Sequence, residues 1–593
     1  MSASVTTARI PETSMTPISN WSSTRSYLLL IALTLVCLLP FVGRAFHIDD
    51  PLFVWAGQQI QKHPLDPYGF RVLWDNYSEP MSEVTKNPPL ACYYAALIGS
   101  IAGWSEVALH LGFLLPAIAL ALGTYRLATR FTRSPLLAAA AAFLSPGVVV
   151  SASSVMCDTM MLAFWMWTAV FWIEGLENER PAYLAFSSVL LALAALTKYF
   201  GICLVPLLMV YSLARKRRIG WWAMYFLVPL ALLSAYQLWT AIIYGHRMFS
   251  EAFDFAKNQR EVNGKISLLT SAAIGSSFAG GCTLSALFLA PFVWRWKKLT
   301  AGLAIGTLAA FALVRGWIGL GPYAEVIVRE SLHAHPWTAG IQLSFAISGG
   351  IAVLALCFAE LRNWKNSDSL FLGCWVLGTF IFTAFVNWTI NARSILPLIP
   401  AVGVLLARRL DSQDFTSKPQ MRRQIVLAVL LCGAVAFWLA KADFDWANSA
   451  RNAAELIHQQ NENQPSAVWF QGHWGFQYYM QLLGARPVDF LNSDMNRGDL
   501  LVVPENNADA YRMPPPEFVA STTMLQMKLP QPLSTMRWHN GAAFYSSFYG
   551  PLPFAFGPTD TERYYLFRLS MPMARRIVHG RFKTPGNQTE PEK

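Results

Sequence analysis

The stretch WWAMYFLVPLALLSAYQLWTAII, Trp221–Ile243, contains no charged residue and follows closely on Arg215-Lys216-Arg217-Arg218. At about 1.5 Å of rise per residue, a helix of this length crosses a hydrocarbon layer of about 30 Å. Lys and Arg bias loops toward the cytoplasm, so the basic quartet marks the inner side. Both signals recur in each direction. Toward the N-terminus, apolar runs are expected as helices near 200–214, 182–197, 159–174, 135–151, 107–129 and Tyr27–Gly43, with a short membrane-level piece at Leu90–Trp104. Toward the C-terminus, further runs end with helices near 395–407 and 424–440. The sum is about thirteen transmembrane helices. Under this count Arg126, Arg130, Arg133, Arg295, Lys297, Lys298, Arg362, Lys365, Arg408 and Arg409 all fall on the quartet's side. The N-terminus is then cytoplasmic and everything after Asp443 lies outside.

Composition agrees. Of 593 residues, 54% are hydrophobic and only 14% charged, against about 25% charged in a soluble globule. The formal charge of +11 sits between apolar runs, as topology signals do, and no nucleic-acid partner is implied. The eight cysteines lie in or beside apolar runs without a CxxC pair, which argues against a disulfide framework or a zinc site. The expected division is a cytoplasmic tail (1–26), a transmembrane unit (27–442) with a long first outer loop (44–89), a small α/β domain (443–583) and a disordered tail (584–593). The α/β reading rests on helical stretches at 447–460 and 475–483 between strand-like runs at 467–471, 499–504 and 564–569.

The first outer loop carries the most chemistry. It opens Phe46-His47-Ile48-Asp49-Asp50-Pro51. Adjacent carboxylates at a membrane face are costly unless solvated or paired, and so suggest function. Asp50 before Pro51 also reads as a helix N-cap with proline at the first helical position. Capping leaves Asp49 unexplained and makes it the better base. The loop closes Glu83-Val84-Thr85-Lys86-Asn87-Pro88-Pro89-Leu90, where the prolines enforce an extended re-entry. Three further charges stand at outer turns: Asp158, which also suits a helix start, Lys198, which also suits snorkelling, and Arg393, which also suits a flanking charge.

Taken in order, the acidic pair, the loop ending in Pro-Pro-Leu, Asp158, Leu196-Thr197-Lys198 and Arg393-Ser394-Ile395-Leu396-Pro397 resemble the GT-C membrane glycosyltransferases. Within them the resemblance is to the protein O-mannosyltransferase-like family that includes the lipid A aminoarabinose transferases. It covers roughly 27–440, and Trp474-Gly475-Phe476-Gln477-Tyr478-Tyr479 resembles bacterial members with a periplasmic domain. The resemblance implies a polyprenyl-phosphate sugar donor, Asp49 as base and Asp158 as the later outer-loop acid. Where the aminoarabinose transferases carry Glu-Lys-Pro-Pro-Leu, this chain has Lys86-Asn87-Pro88-Pro89-Leu90. A metal site using that glutamate is therefore in doubt, although Glu83 is near. No cofactor is singled out, and a divalent cation is left open.

The expected activity is inverting glycosyl transfer at the bacterial inner membrane, to a periplasm-facing hydroxyl of a glycan, lipid or protein. A phosphate leaving group needs cations rather than a strong acid, and the acceptor needs one general base. Asp49, with Asp50 beside it, would be catalytic. Lys198 and Arg393 would hold phosphate, with Asp158, Lys86 and Glu83 as further substrate contacts. The alternatives are a transporter or a non-enzymatic scaffold among membrane lipids. A transporter would show matching halves and broken helices at the midplane, and no such repeat is present in the sequence.

Overall fold

The computed structural model describes residues 23–262, 267–320, 332, 336–415, 418–508, 513–558 and 561–573. The expected cytoplasmic tail, apart from its last four residues, and the tail at 584–593 lie outside them.

Among the described residues nine helices are long and apolar enough to cross a membrane, or ten if one bent pair is counted. Helix lies at each of the thirteen expected places, but several are not straight spans. The pieces Pro135–Phe143 and Pro146–Ala152 meet at 64°. Pro146 lacks the N–H that an unbroken helix would use there. Leu268–Cys282 stops at Thr283, with two short pieces after it. The helix expected near 395–407 forms in steps through Pro397 and Pro400, before Ile399–Asp411. Pro181–Thr197 ends at an extended Lys198, followed by the 3-10 turn Tyr199–Cys203. That turn requires Gly201, because a Cβ there would sit 2.5 Å from the Ala194 carbonyl carbon.

Charge sorts the two ends of the bundle. Arg130, near the end of Glu106–Phe131, pairs with Glu177 (2.7 Å) and Asp368 (2.9 Å), while Arg408 pairs with Glu360 (3.0 Å). Glu177 and Asp158 stand at opposite ends of one helix, Cys157–Glu177, about 30 Å apart at its rise per residue.

The last span does not stop at the expected boundary near 443. Pro419–Asn461 is one helix of 43 residues. Lys441–Trp446 contains neither Gly nor Pro, so nothing breaks the helix where polarity changes. Its C-terminal half packs on a five-stranded mixed sheet ordered Arg486–Pro487, Val468–Phe470, Leu500–Pro504, Glu562–Leu569, Val519–Met527. The first three strands are parallel, and Glu562–Leu569 pairs antiparallel to both of its neighbours. The strand Val519–Met527 escapes the sequence reading. It is a largely exposed edge strand, so no buried face imposes alternation on it.

Candidate active site

One end of the bundle holds a cavity of about 1840 Å³. Five of the seven residues singled out in the sequence line it: Asp49, Glu83, Lys86, Lys198 and Arg393. Asp158 stands behind Lys198, and Asp50 is not on the wall.

Asp49 precedes the amphipathic helix Asp50–Lys62, whose buried stripe includes Phe53, Val54 and Ile60. The residue before it, Ile48, is held at φ 51°, a left-handed conformation that costs a β-branched residue about 1–3 kcal/mol. This tight turn aims Asp49 at Arg393, and the Asp49 Oδ2–Arg393 Nη1 distance is 2.7 Å. Both side chains keep some exposure, 25% and 18%, which leaves the pair reachable. Lys198, at the break after Thr197, pairs with Asp158 Oδ1 at 2.5 Å. The acid is 2% exposed and the lysine 21%, so the ammonium is the member that faces the cavity.

Asp50 behaves differently from the cap expected in the sequence. The helix begins one residue earlier than expected, with Asp49 in the cap position, and the Asp49 side chain makes no cap bond. Asp50 is fully buried. Its carboxylate accepts from the His47 N–H and the Val155 N–H, both at 3.0 Å. Burial pushes its carboxyl up to about 6, against the opposing pull of Arg44 and the two amides. Geometry thus puts Asp50 in the scaffold that fixes the turn. Asp50→Asn presents an NH₂ to one of two backbone donors and leaves it unsatisfied. The expected loss of stability is about 1–3 kcal/mol, read as a lower midpoint of thermal unfolding in detergent.

The Lys86 ammonium bonds Glu251 Oε1 at 3.0 Å, and His246 Nδ1 lies 2.5 Å from the other oxygen. Lys86 also bonds the Glu83 carbonyl and sits 5.0 Å from the Phe255 ring. Glu251 and Phe255 belong to the helix Met248–Val262, which also brings Lys257 and Arg260 to the cavity. Among the described residues, no three His, Cys, Asp or Glu side chains gather as metal ligands. Where the resemblance places a glutamate, a cation is already bonded to the nearest carboxylate. The donor set at Lys86 therefore does not fit a divalent ion.

The sequence reading missed a buried cluster behind Asp49. Arg44 and Asp443 pair at 2.7 Å with no exposure on either side chain. Tyr545 donates to Asp443 at 2.8 Å, Thr535 donates to it at 2.6 Å, and Arg44 donates to the Ser153 carbonyl at 3.0 Å. The charges at the two span exits, Arg44 at one and Asp443 between Lys441 and Asp445 at the other, were the available signal. The run from Trp474 to Tyr479 also acquires a place. Tyr479 Oη accepts from the Phe46 N–H at 2.8 Å, and Gln477 donates to the Leu73 carbonyl at 2.8 Å. Any Cβ on Gly475 would come within 2.0 Å of the Phe46 carbonyl oxygen, so the contact demands glycine.

The fold is that of a multi-pass helical membrane protein with a small mixed sheet after its last long helix. Residues 86–243 match the family model described as dolichyl-phosphate-mannose-protein mannosyltransferase. The match includes Lys86, Asp158 and Lys198 but neither Asp49 nor Arg393. A comparison with curated protein sequences finds no match. Among solved structures, the chain is similar to ArnT from Cupriavidus metallidurans bound to undecaprenyl phosphate, at 14% identity and a TM-score of 0.40, over 82% of this chain and 94% of that one. It is also similar to the arabinofuranosyltransferase AftD from Mycobacteria, at 12% identity and a TM-score of 0.37, over 93% of this chain and 42% of that one. A third similarity is to the arabinosyltransferase EmbB from Mycobacterium smegmatis, at 13% identity and a TM-score of 0.30, over 89% of this chain and 48% of that one.

Proposed function

We propose that the chain transfers a sugar from a polyprenyl-phosphate donor to a hydroxyl acceptor at the outer face of a bacterial inner membrane, with inversion. The observation that carries this reading is the Asp49–Arg393 ion pair at 2.7 Å on the wall of the large cavity. It joins a base and a phosphate-binding cation in one place. The acceptor oxygen attacks the anomeric carbon while the bond from that carbon to the phosphate oxygen breaks. The acceptor proton passes to the Asp49 carboxylate, and polyprenyl phosphate leaves with the electron pair.

Both leading cations are shared. Arg393 is held by Asp49 and Lys198 by Asp158, so each is aimed before substrate arrives. A donor phosphate competes for these donors through charge-assisted hydrogen bonds. As Arg393 turns to the phosphate, Asp49 is released to accept the proton, which links donor binding to activation of the base. Asp158 then serves by orienting Lys198. The apolar residues on the same wall, among them Phe249, Phe382 and Phe385, suit the lipid end of the donor.

Arg393 presents two N–H groups to one phosphate in a fork that lysine does not reproduce. Arg393→Ala is expected to weaken donor use by about 10- to 100-fold, from the loss of hydrogen bonds to a charged group. Arg393→Lys should fall between Ala and wild type, and Lys198→Ala should show a smaller loss. The measurement is donor consumption across a panel of polyprenyl-phosphate sugars in nanodiscs. Wild-type behaviour in all three variants would make these cations interface anchors and place the phosphate elsewhere.

A further inference from the structure

Asp49 and Arg393 each stand at the edge of regular structure: Asp49 precedes the helix Asp50–Lys62, and Arg393 lies in the short helix Ala392–Ile395, which continues through Leu396–Leu398 into Ile399–Asp411. On the N-terminal side of Arg393, after the π-turn Phe382–Val386, residues 387–391 form neither helix nor strand. The C-terminal part of the chain holds that side. Phe544–Ser547 runs along Thr389–Ala392. The Ala392 N–H donates to the Phe544 carbonyl at 2.8 Å, and the Ser547 N–H donates to the Ile390 carbonyl at 2.8 Å. The Ile390 N–H donates to Ser547 Oγ at 3.1 Å, and Thr389 Oγ1 lies 3.2 Å from the same oxygen. Arg393 is the next residue along. Two residues before Ser547, Tyr545 is anchored on Asp443 and Arg44.

The other member of the pair is held from the same side. Gly475 and Tyr479 clasp the Phe46 backbone three residues before Asp49, and Ala45 N–H donates to Asn448 Oδ1 at 2.9 Å. Left-handed backbone occurs on both sides of this clasp, at Ile48 (φ 51°) and Trp474 (φ 61°). Strain of this kind persists only where surrounding structure over-determines it. A module that merely recruited an acceptor would have no need of backbone hydrogen bonds to the segment that presents Arg393.

We propose that the C-terminal domain is a positioning element of the active site, with Ser547 and Gly475 as positioning residues that set Arg393 and Asp49 against each other. The functional half of this inference rests on the reading that Arg393 meets the donor phosphate.

The test uses the full-length protein in nanodiscs and undecaprenyl phosphate as the probe. Ser547→Ala removes the acceptor for Ile390 N–H, and Ser547→Thr retains it. Hydrogen exchange in the peptide spanning 387–395 should rise at least about tenfold in Ser547→Ala and stay near wild type in Ser547→Thr, with the long helices unchanged. Affinity for undecaprenyl phosphate should fall at least about fivefold in Ser547→Ala. It should fall no further in Ser547→Ala/Arg393→Ala than in Arg393→Ala alone, because the two changes act on one interaction. Gly475→Ala should slow turnover without weakening probe affinity to the same extent, since it acts on the Asp49 side. Unchanged exchange at 387–395 overturns the positioning role outright. So does a Ser547→Ala protein that binds the probe like wild type while Arg393→Ala does not. If Arg393→Ala itself binds the probe normally, the phosphate assignment fails, and the exchange result alone decides whether Ser547 positions the segment.

Discussion

The Asp49→Asn protein should insert and fold normally yet turn over at least about 10²-fold more slowly, the usual range for loss of a general base being about 10²–10⁴. Asparagine matches aspartate in shape but cannot take up a proton, so the acceptor hydroxyl would attack without assistance. Donor binding should change little, because Arg393 loses a partner in the resting protein and remains free to meet phosphate. The assay pairs donor consumption at saturating donor with affinity for undecaprenyl phosphate, so a chemical defect is separated from a binding defect. Near-normal turnover in Asp49→Asn would sink the assignment. Buried Asp50, with both carboxylate oxygens committed to backbone amides, could not easily take its place.

Breaking the Arg44–Asp443 pair should have the largest effect on stability in the molecule. Both side chains are without exposure, and removing one leaves the other charged and uncompensated in a low-dielectric interior. Loss of one partner of such a pair typically costs about 3–5 kcal/mol. Arg44→Met and Asp443→Leu should each lower the thermal unfolding midpoint in detergent and increase proteolysis of the C-terminal part. The double variant Arg44→Met/Asp443→Leu should recover much of the loss, since no lone charge remains. That non-additivity is the decisive readout. Single variants as stable as wild type would show that water reaches the pair and that it does not hold the C-terminal part of the chain.

Several elements were legible locally. Uncharged runs such as Trp221–Ile243 identify helices because a membrane span must bury its backbone within one segment. Adjacent acids at Asp49 and Asp50 stand out because charge beside a membrane is costly without a purpose. Breaks at Pro146 and Thr283 were harder to see, since hydropathy averages over them. The absence of a boundary at 443 was missed for a related reason: a change in polarity does not end a helix that has no Gly, Pro or cap to end it.

The amino-acid sequence alone determined that this chain is a helical membrane protein with charges gathered in the turns between its spans, because span length, apolarity and loop charge are properties of short contiguous segments. Which of those charges work together was decided only by the tertiary structure. Asp49 meets Arg393 across 344 positions, Arg44 meets Asp443 from opposite ends of the transmembrane region, and Ser547 meets Ile390 across 157. No periodicity spans such distances. The partner of a buried charge is chosen by three-dimensional packing, which brings together the few groups able to offset its desolvation. For that reason Asp49 and Asp50, neighbours in the chain, end in different places: one pairs with a cation on the wall of a cavity, and the other is sealed against two backbone amides.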